Sequence, residues 1–198
     1  GVNTGWIEAQ DYTYERNLHI SEKWNGKKLL LEFEGIYRKA TVYVNRKKAA
    51  YHEYGYTGFY VDITESVNYG ADNEIKVTVV NSDQPNSRWY SGTGIYRPVW
   101  LYIFPTEHIL RDEIRVKTLD YQKKKIAVDV KTTGVGMLCT EIFDGEKLIV
   151  SKTIQSEDTV ENAICDVKEK TVEYHTEMVL EQTELWSPKY PKLYTCRV

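Results

Sequence analysis

Apolar residues recur at every second position along most of this chain, the spacing of strands rather than helices. Leu29, Leu31 and Phe33 share one face of a short segment, and Ala40, Val42 and Val44 share the face of the next, which ends at a turn over Asn45-Arg46. Tyr12, Tyr14, Arg16, Leu18 and Ile20 alternate with polar residues. Phe59, Val61 and Ile63 alternate with Tyr60, Asp62 and Thr64. Ile75, Val77 and Val79 follow a loop over Tyr69–Asn73. In Val99–Phe104 both alternating sets are apolar, which predicts a strand covered on both faces. Pro105 then breaks the pattern and marks a boundary.

Beyond it the alternation resumes over Ile109–Val116, Ile126–Val130, Leu138–Phe143, Leu148–Lys152, Ala163–Val167 and Val172–Leu180. In the last of these, Val172, Tyr174, Thr176, Met178 and Leu180 form one face. Asp144-Gly145 predicts a two-residue hairpin turn with both central residues at positive φ. No amphipathic helix of ten or more residues is visible. Short strands separated by turn residues predict an all-β protein of two sandwiches, residues 1–106 and 107–198. The first has the size of a jelly roll and the second that of an immunoglobulin-like β-sandwich.

Composition narrows the functional classes. Of 198 residues, 41% are hydrophobic and 28% charged, enough apolar side chain for packed cores. Sixteen Tyr and five Trp suit strands and also carbohydrate or protein contact surfaces. The net charge is −3 with both signs interspersed, so no nucleic-acid partner is expected. No apolar run reaches the roughly 18 residues that cross a bilayer, so no membrane partner is expected either. Cys139, Cys165 and Cys196 are widely spaced and read as three strand thiols.

The segment 86–102, Asn-Ser-Arg-Trp-Tyr-Ser-Gly-Thr-Gly-Ile-Tyr-Arg-Pro-Val-Trp-Leu-Tyr, is an aromatic, glycine-punctuated loop feeding a strand. Gly92 and Gly94 are not a dinucleotide fingerprint: the third glycine and the following helix are missing. This segment resembles the end of the N-terminal sugar-binding domain of glycoside hydrolase family 2, which includes β-galactosidases, β-glucuronidases and β-mannosidases. Phe33-Glu34-Gly35-Ile36-Tyr37-Arg38-Lys39-Ala40-Thr41-Val42-Tyr43-Val44-Asn45 is similar to the family's central hairpin, and Gly55–Phe59 through Asp62-Ile63-Thr64 to its next strand. Leu185-Trp186-Ser187-Pro188, with Pro191, Leu193 and Tyr194, resembles the near-terminal strand of its immunoglobulin-like second domain. One departure is Asn45-Arg46, where the family usually has Asn-Gly.

The resemblance implies a retaining glycosidase whose two carboxylates, about 5–5.5 Å apart, are Glu residues on a (β/α)₈ barrel beyond Val198. It also implies residues before Gly1 and a last sandwich strand after Val198, so both ends look cut. No catalytic residue is then expected in this chain; Glu32 and Glu34 sit at a spacing suited to a solvated strand edge. The loop Ser87, Arg88, Trp89 and Tyr90 is the candidate substrate-binding element, because in the family it reaches toward the mouth of the barrel. Some β-galactosidases place an acidic residue there; here Ser87 and Arg88 are nearest, with Asp83 upstream. A guanidinium can donate to sugar hydroxyls or a carboxylate, and an aromatic ring can stack on a sugar. Trp89 and Tyr90 can equally plug an interface with the barrel. Tyr51, Tyr54, Tyr56 and Tyr60 read as half-buried strand aromatics, with a stacking platform as the alternative.

His19, His52, His108 and His175 show no metal-ligand spacing, so no metal and no cofactor is expected. The expected partners are a carbohydrate, a β-galactoside or related glycoside, and the intramolecular barrel, with a homo-oligomer left open. A cytoplasmic location is favoured, with periplasm or secretion left open because the N-terminus looks truncated. Two further readings stay open: a free-standing carbohydrate-binding module and a structural or adhesive β-sandwich protein.

Overall fold

The computed structural model describes residues 10–82, 92–156, 159–164 and 167–198. The chain is all-β. It divides into two compact units, one made chiefly of residues up to Thr106 and the other chiefly of Glu107–Ile164 and Lys168–Val198.

The first unit contains β1 (Tyr12–Ile20), β2 (Lys28–Phe33), β3 (Ile36–Tyr37), β4 (Ala40–Val44), β5 (Lys47–His52), β6 (Phe59–Asp62), β7 (Ala71–Val79), β8 (Gly94–Ile95) and β9 (Val99–Phe104), with a 3₁₀ turn at Glu22–Trp24. Its sheets run β1-β7-β4-β5 and β6-β2-β9, with a two-stranded ribbon β3-β8. Leu29, Leu31 and Phe33 of one sheet and Ala40, Val42, Val44, Val77 and Val79 of the other form a single core. The alternation thus sets the register. A slip of one residue on β4 would put Thr41 and Tyr43 inside, and each lost aliphatic burial costs about 1.5–3 kcal/mol.

The β4–β5 hairpin closes with Asn45 and Arg46 at φ +47° and +68°, Val44 pairing with Lys47. An arginine is strained in that conformation, and the Asn45 side chain supplies the compensation. Its Nδ2 donates to Ser66 O at 2.9 Å and to Asn73 Oδ1 at 2.8 Å, and its Oδ1 accepts from the Glu74 amide at 3.1 Å. Asn73 is fully buried, and its Nδ2 donates to the Asn68 and Ala71 carbonyls.

The second unit contains β10 (Ile109–Asp120), β11 (Lys125–Thr132), β12 (Gly136–Asp144), β13 (Lys147–Ser156), β14 (Thr159–Ile164), β15 (Val167–Val179) and β16 (Thr195–Arg197). Its sheets run β10-β11-β15-β14 and β13-β12-β16. Ile126, Val128 and Val130 of β11 and Val172, Tyr174 and Met178 of β15 pack against Leu138 and Ile142 of β12, which makes a second sandwich.

Four sequence expectations need correction. First, β9 is not covered on both faces. Among the described residues it is an edge strand, and Val99 and Trp100 are 42% and 49% exposed. Second, Asp144 pairs with Lys147, so Gly145 and Glu146 are the central turn residues, and only Gly145 takes a positive φ, +59°. Third, the loop before β7 is shorter than expected, because Ala71, Asp72 and Asn73 already pair with β1. Fourth, Glu32 lies on β2, the central strand of its sheet, not on an edge. Cys139 and Cys196 are free thiols on β12 and β16, and burial pushes the Cys196 thiol up from its ordinary value. Cys165 lies outside the described residues.

Candidate functional site

Ser87, Arg88, Trp89 and Tyr90, together with Asp83, lie outside the described residues. The frame on either side of them is described. Asn81 is fully buried, and its Nδ2 donates to Thr93 Oγ1 at 2.7 Å, joining the two flanks of the segment. Its Oδ1 accepts from Arg38 Nε at 3.3 Å, and its backbone amide donates to Asp11 Oδ1 at 2.9 Å. The Ser82 amide donates to the same carboxylate oxygen at 3.1 Å. On the far flank, Gly94 enters β8 at φ +114°, where a Cβ would fall 2.0 Å from the Tyr14 hydroxyl. A buried amide that satisfies both flanks at once is a rigid device, because leaving it unpaired is costly.

Beside this frame stands a group of tyrosines. β3 pairs with β8, Ile36 opposite Ile95 and Tyr37 opposite Gly94, which brings Tyr96 toward the turn over Glu53–Gly58. The Tyr96 hydroxyl donates to Gly55 O at 2.8 Å. The Tyr37 and Tyr56 rings meet edge to face at 5.3 Å, as do those of Tyr54 and Tyr56 at 5.7 Å. The Arg97 guanidinium lies 5.8 Å from the centre of the Tyr96 ring. The four tyrosines grouped by sequence do not form one patch. Tyr51 is on β5 under Lys48, Tyr60 faces β2, and only Tyr54 and Tyr56 come together. Tyr54 and Tyr56 lie in the turn after β5 rather than on a strand, and Tyr51, Tyr54 and Tyr56 are 49%, 61% and 49% exposed.

The outer face of β6-β2-β9 carries the carboxylates. Glu32 accepts from the Tyr60 hydroxyl at 3.1 Å and the Tyr102 hydroxyl at 3.0 Å, and Glu34 accepts from Trp100 Nε1 at 2.7 Å. Both are thereby held as hydrogen-bond acceptors. Asp62 sits 2.7 Å from Lys28. Burial alone would raise its carboxyl, but the Lys28 ammonium and the Thr64 hydroxyl and amide outweigh it and hold it below the usual carboxylate range. The four histidines stay apart, each with its own neighbour: Asp72, Thr57, Thr133 and Asp129.

Residues 2–100 match the family described as glycosyl hydrolase 2 galactose-binding domain-like. The chain belongs to glycoside hydrolase family 2. It is 30% identical over 203 residues to the β-galactosidase BoGH2A of Bacteroides ovatus, a match covering 98% of this chain and 23% of that protein. It is 36% identical over 164 residues to a β-glucuronidase of Bacteroides fragilis, covering 71% and 23%. Among solved structures, a glycosyl hydrolase family 2 member from Bacteroides cellulosilyticus superposes with a TM-score of 0.72 at 30% identity, over 94% of this chain and 26% of the other. A Bacteroides uniformis β-glucuronidase superposes with a TM-score of 0.75 at 25% identity, over 94% and 24%. The chain thus spans about a quarter of the length of these relatives.

Within this family 2 chain no sequence signal pointed to the bond between Asn81 and Thr93. Asn81 is one polar residue among many near a strand end, and nothing in its spacing signals a buried amide. The tyrosine group was also hidden, because Tyr37, Tyr54, Tyr56 and Tyr96 come together only through the β3–β8 pairing and the turn at Gly55.

Proposed function

We propose that this chain is the non-catalytic N-terminal portion of a retaining family 2 glycosidase that removes terminal β-linked sugars. Its first unit is the galactose-binding-like jelly roll. Its second is an immunoglobulin-like sandwich. Together they brace the catalytic barrel, and the segment Ser87–Tyr90 is lent to the sugar pocket. The observation that carries this reading is the family match over residues 2–100, joined to a chain that spans about a quarter of its relatives. The clamp between Asn81 and Thr93 supports the loop assignment, since a loop that meets a substrate needs fixed flanks.

The substrate is a β-galactoside, with a β-glucuronide as the second reading, because relatives of similar identity carry both activities in their names. Arg88 is the residue through which the two would differ. Kinetics of the full-length protein on p-nitrophenyl β-galactoside and β-glucuronide, with and without Arg88→Ala, test this. The reading expects turnover of one or both, and a loss in kcat/KM on substitution. A full-length protein that hydrolyses neither, or an Arg88→Ala variant with unchanged kinetics, overturns the corresponding part.

A further inference from the structure

Gly35 and Gly55 are built into the tyrosine group. A Cβ at Gly55 would lie 2.2 Å from the Tyr37 ring, and one at Gly35 would lie 2.6 Å from the Tyr96 ring. Each ring therefore rests on bare backbone, and Tyr96 is pinned at its far end by its hydrogen bond to Gly55 O. The turn that carries Tyr54 and Tyr56 is fastened on its other side. His52 Nε2 and Thr57 Oγ1 are 3.1 Å apart, and the His52 ring stacks on Phe59 at 4.4 Å. Only Tyr37 is buried by this arrangement, at 7% exposure. Tyr54, Tyr56 and Tyr96 remain 61%, 49% and 50% exposed.

Tyr96 and the turn that carries Tyr54 and Tyr56 are thus held in place while their rings stay in water. What such rings offer is a set of flat apolar faces edged by hydroxyls, at little entropy cost on binding because they are already held. We propose that Tyr54, Tyr56 and Tyr96, with Arg97 at the rim, form a binding site on this chain for a pyranosyl unit of a glycan. The apolar C–H face of the sugar lies on the rings, and its hydroxyls reach the phenol oxygens and the exposed Arg97 guanidinium. A guanidinium held over Tyr96 also favours a carboxylate, so a uronosyl unit binds more tightly than a neutral hexosyl unit. The site rests on the carbohydrate reading above but does not depend on the barrel.

The experiment is an NMR titration of the 198-residue chain with methyl β-glucuronide and with methyl β-galactoside. Saturable shifts at the Tyr54, Tyr56, Tyr96 and Gly55 signals are expected, larger in affinity for the glucuronide. Tyr54→Ala weakens both by about tenfold, Arg97→Ala abolishes the preference, and Tyr121→Ala, an exposed tyrosine on the second unit, changes neither. Unchanged thermal melting of Tyr54→Ala separates lost binding from lost fold. No shift with either glycoside overturns the site, as does equal binding by Tyr54→Ala. Equal affinity for both glycosides overturns the role given to Arg97. Shifts at these residues caused by the rest of the full-length protein and by neither sugar would make the patch a domain contact and also overturn the proposal. None of these results bears on hydrolysis by the full-length protein, so the two readings fail separately.

Discussion

Asn81 and Thr93 are joined side chain to side chain at 2.7 Å, and the same buried amide accepts from Arg38 at 3.3 Å. The pair converts the open ends of the segment 83–91 into a closed frame. Removing the amide takes that partner from the half-buried Arg38 and Thr93 side chains, which costs about 1–3 kcal/mol. Asn81→Ala is therefore expected to lower stability by that amount in urea denaturation. Loss of less than about 0.5 kcal/mol would show that the amide is not a clamp.

Gly55 has no room for a methyl group, since the Tyr37 ring occupies the place of its Cβ at 2.2 Å. Gly55→Ala must push Tyr37 out of its buried position, at a cost of about 1–3 kcal/mol. Gly92 is the control: among the described residues nothing lies within 4 Å of its Cβ position, so Gly92→Ala is expected to stay within about 0.5 kcal/mol. Comparative denaturation of the two variants measures the difference.

Asp62 sets an acid limit. Its carboxyl is lowered in the folded chain, so it binds a proton less readily folded than unfolded. Its contribution is present in full above the unfolded carboxylate value, about 3.9, and disappears as pH falls through the lower folded value. Asp62→Asn lacks that contribution. The stability gap between parent and variant should be constant near neutral pH and shrink below about pH 4, as read from urea midpoints across that range. A gap that widens on acidification would contradict the assignment.

The alternation on β2, β4, β6 and β15 was legible because each strand buries one face in a core, and period two is then enforced by the transfer energy of Leu31, Val42, Val61 or Val172. β9 misled for a related reason. Val99–Phe104 is apolar on both faces, which reads as central, yet among the described residues it pairs only with β2 and leaves Trp100 to hydrogen bond Glu34 at the surface. The turn after β12 slipped by one residue because Gly145 alone supplies the positive φ, and sequence gives no register for the strands on either side. The candidate segment Ser87–Tyr90 was singled out by its aromatic and glycine pattern and lies outside the described residues. Its clamp and the neighbouring tyrosine group depend on contacts between residues far apart in the chain, such as Tyr96 with Gly55, and no local pattern encodes those.

We propose that this family 2 chain carries no hydrolytic centre of its own. The most direct measurement is release of p-nitrophenol from β-galactoside and β-glucuronide substrates by the purified 198-residue chain, beside the full-length protein at equal concentration. The account predicts turnover by the full-length protein and none above background by the chain. Turnover by the chain that scales with its concentration and survives further purification would contradict it.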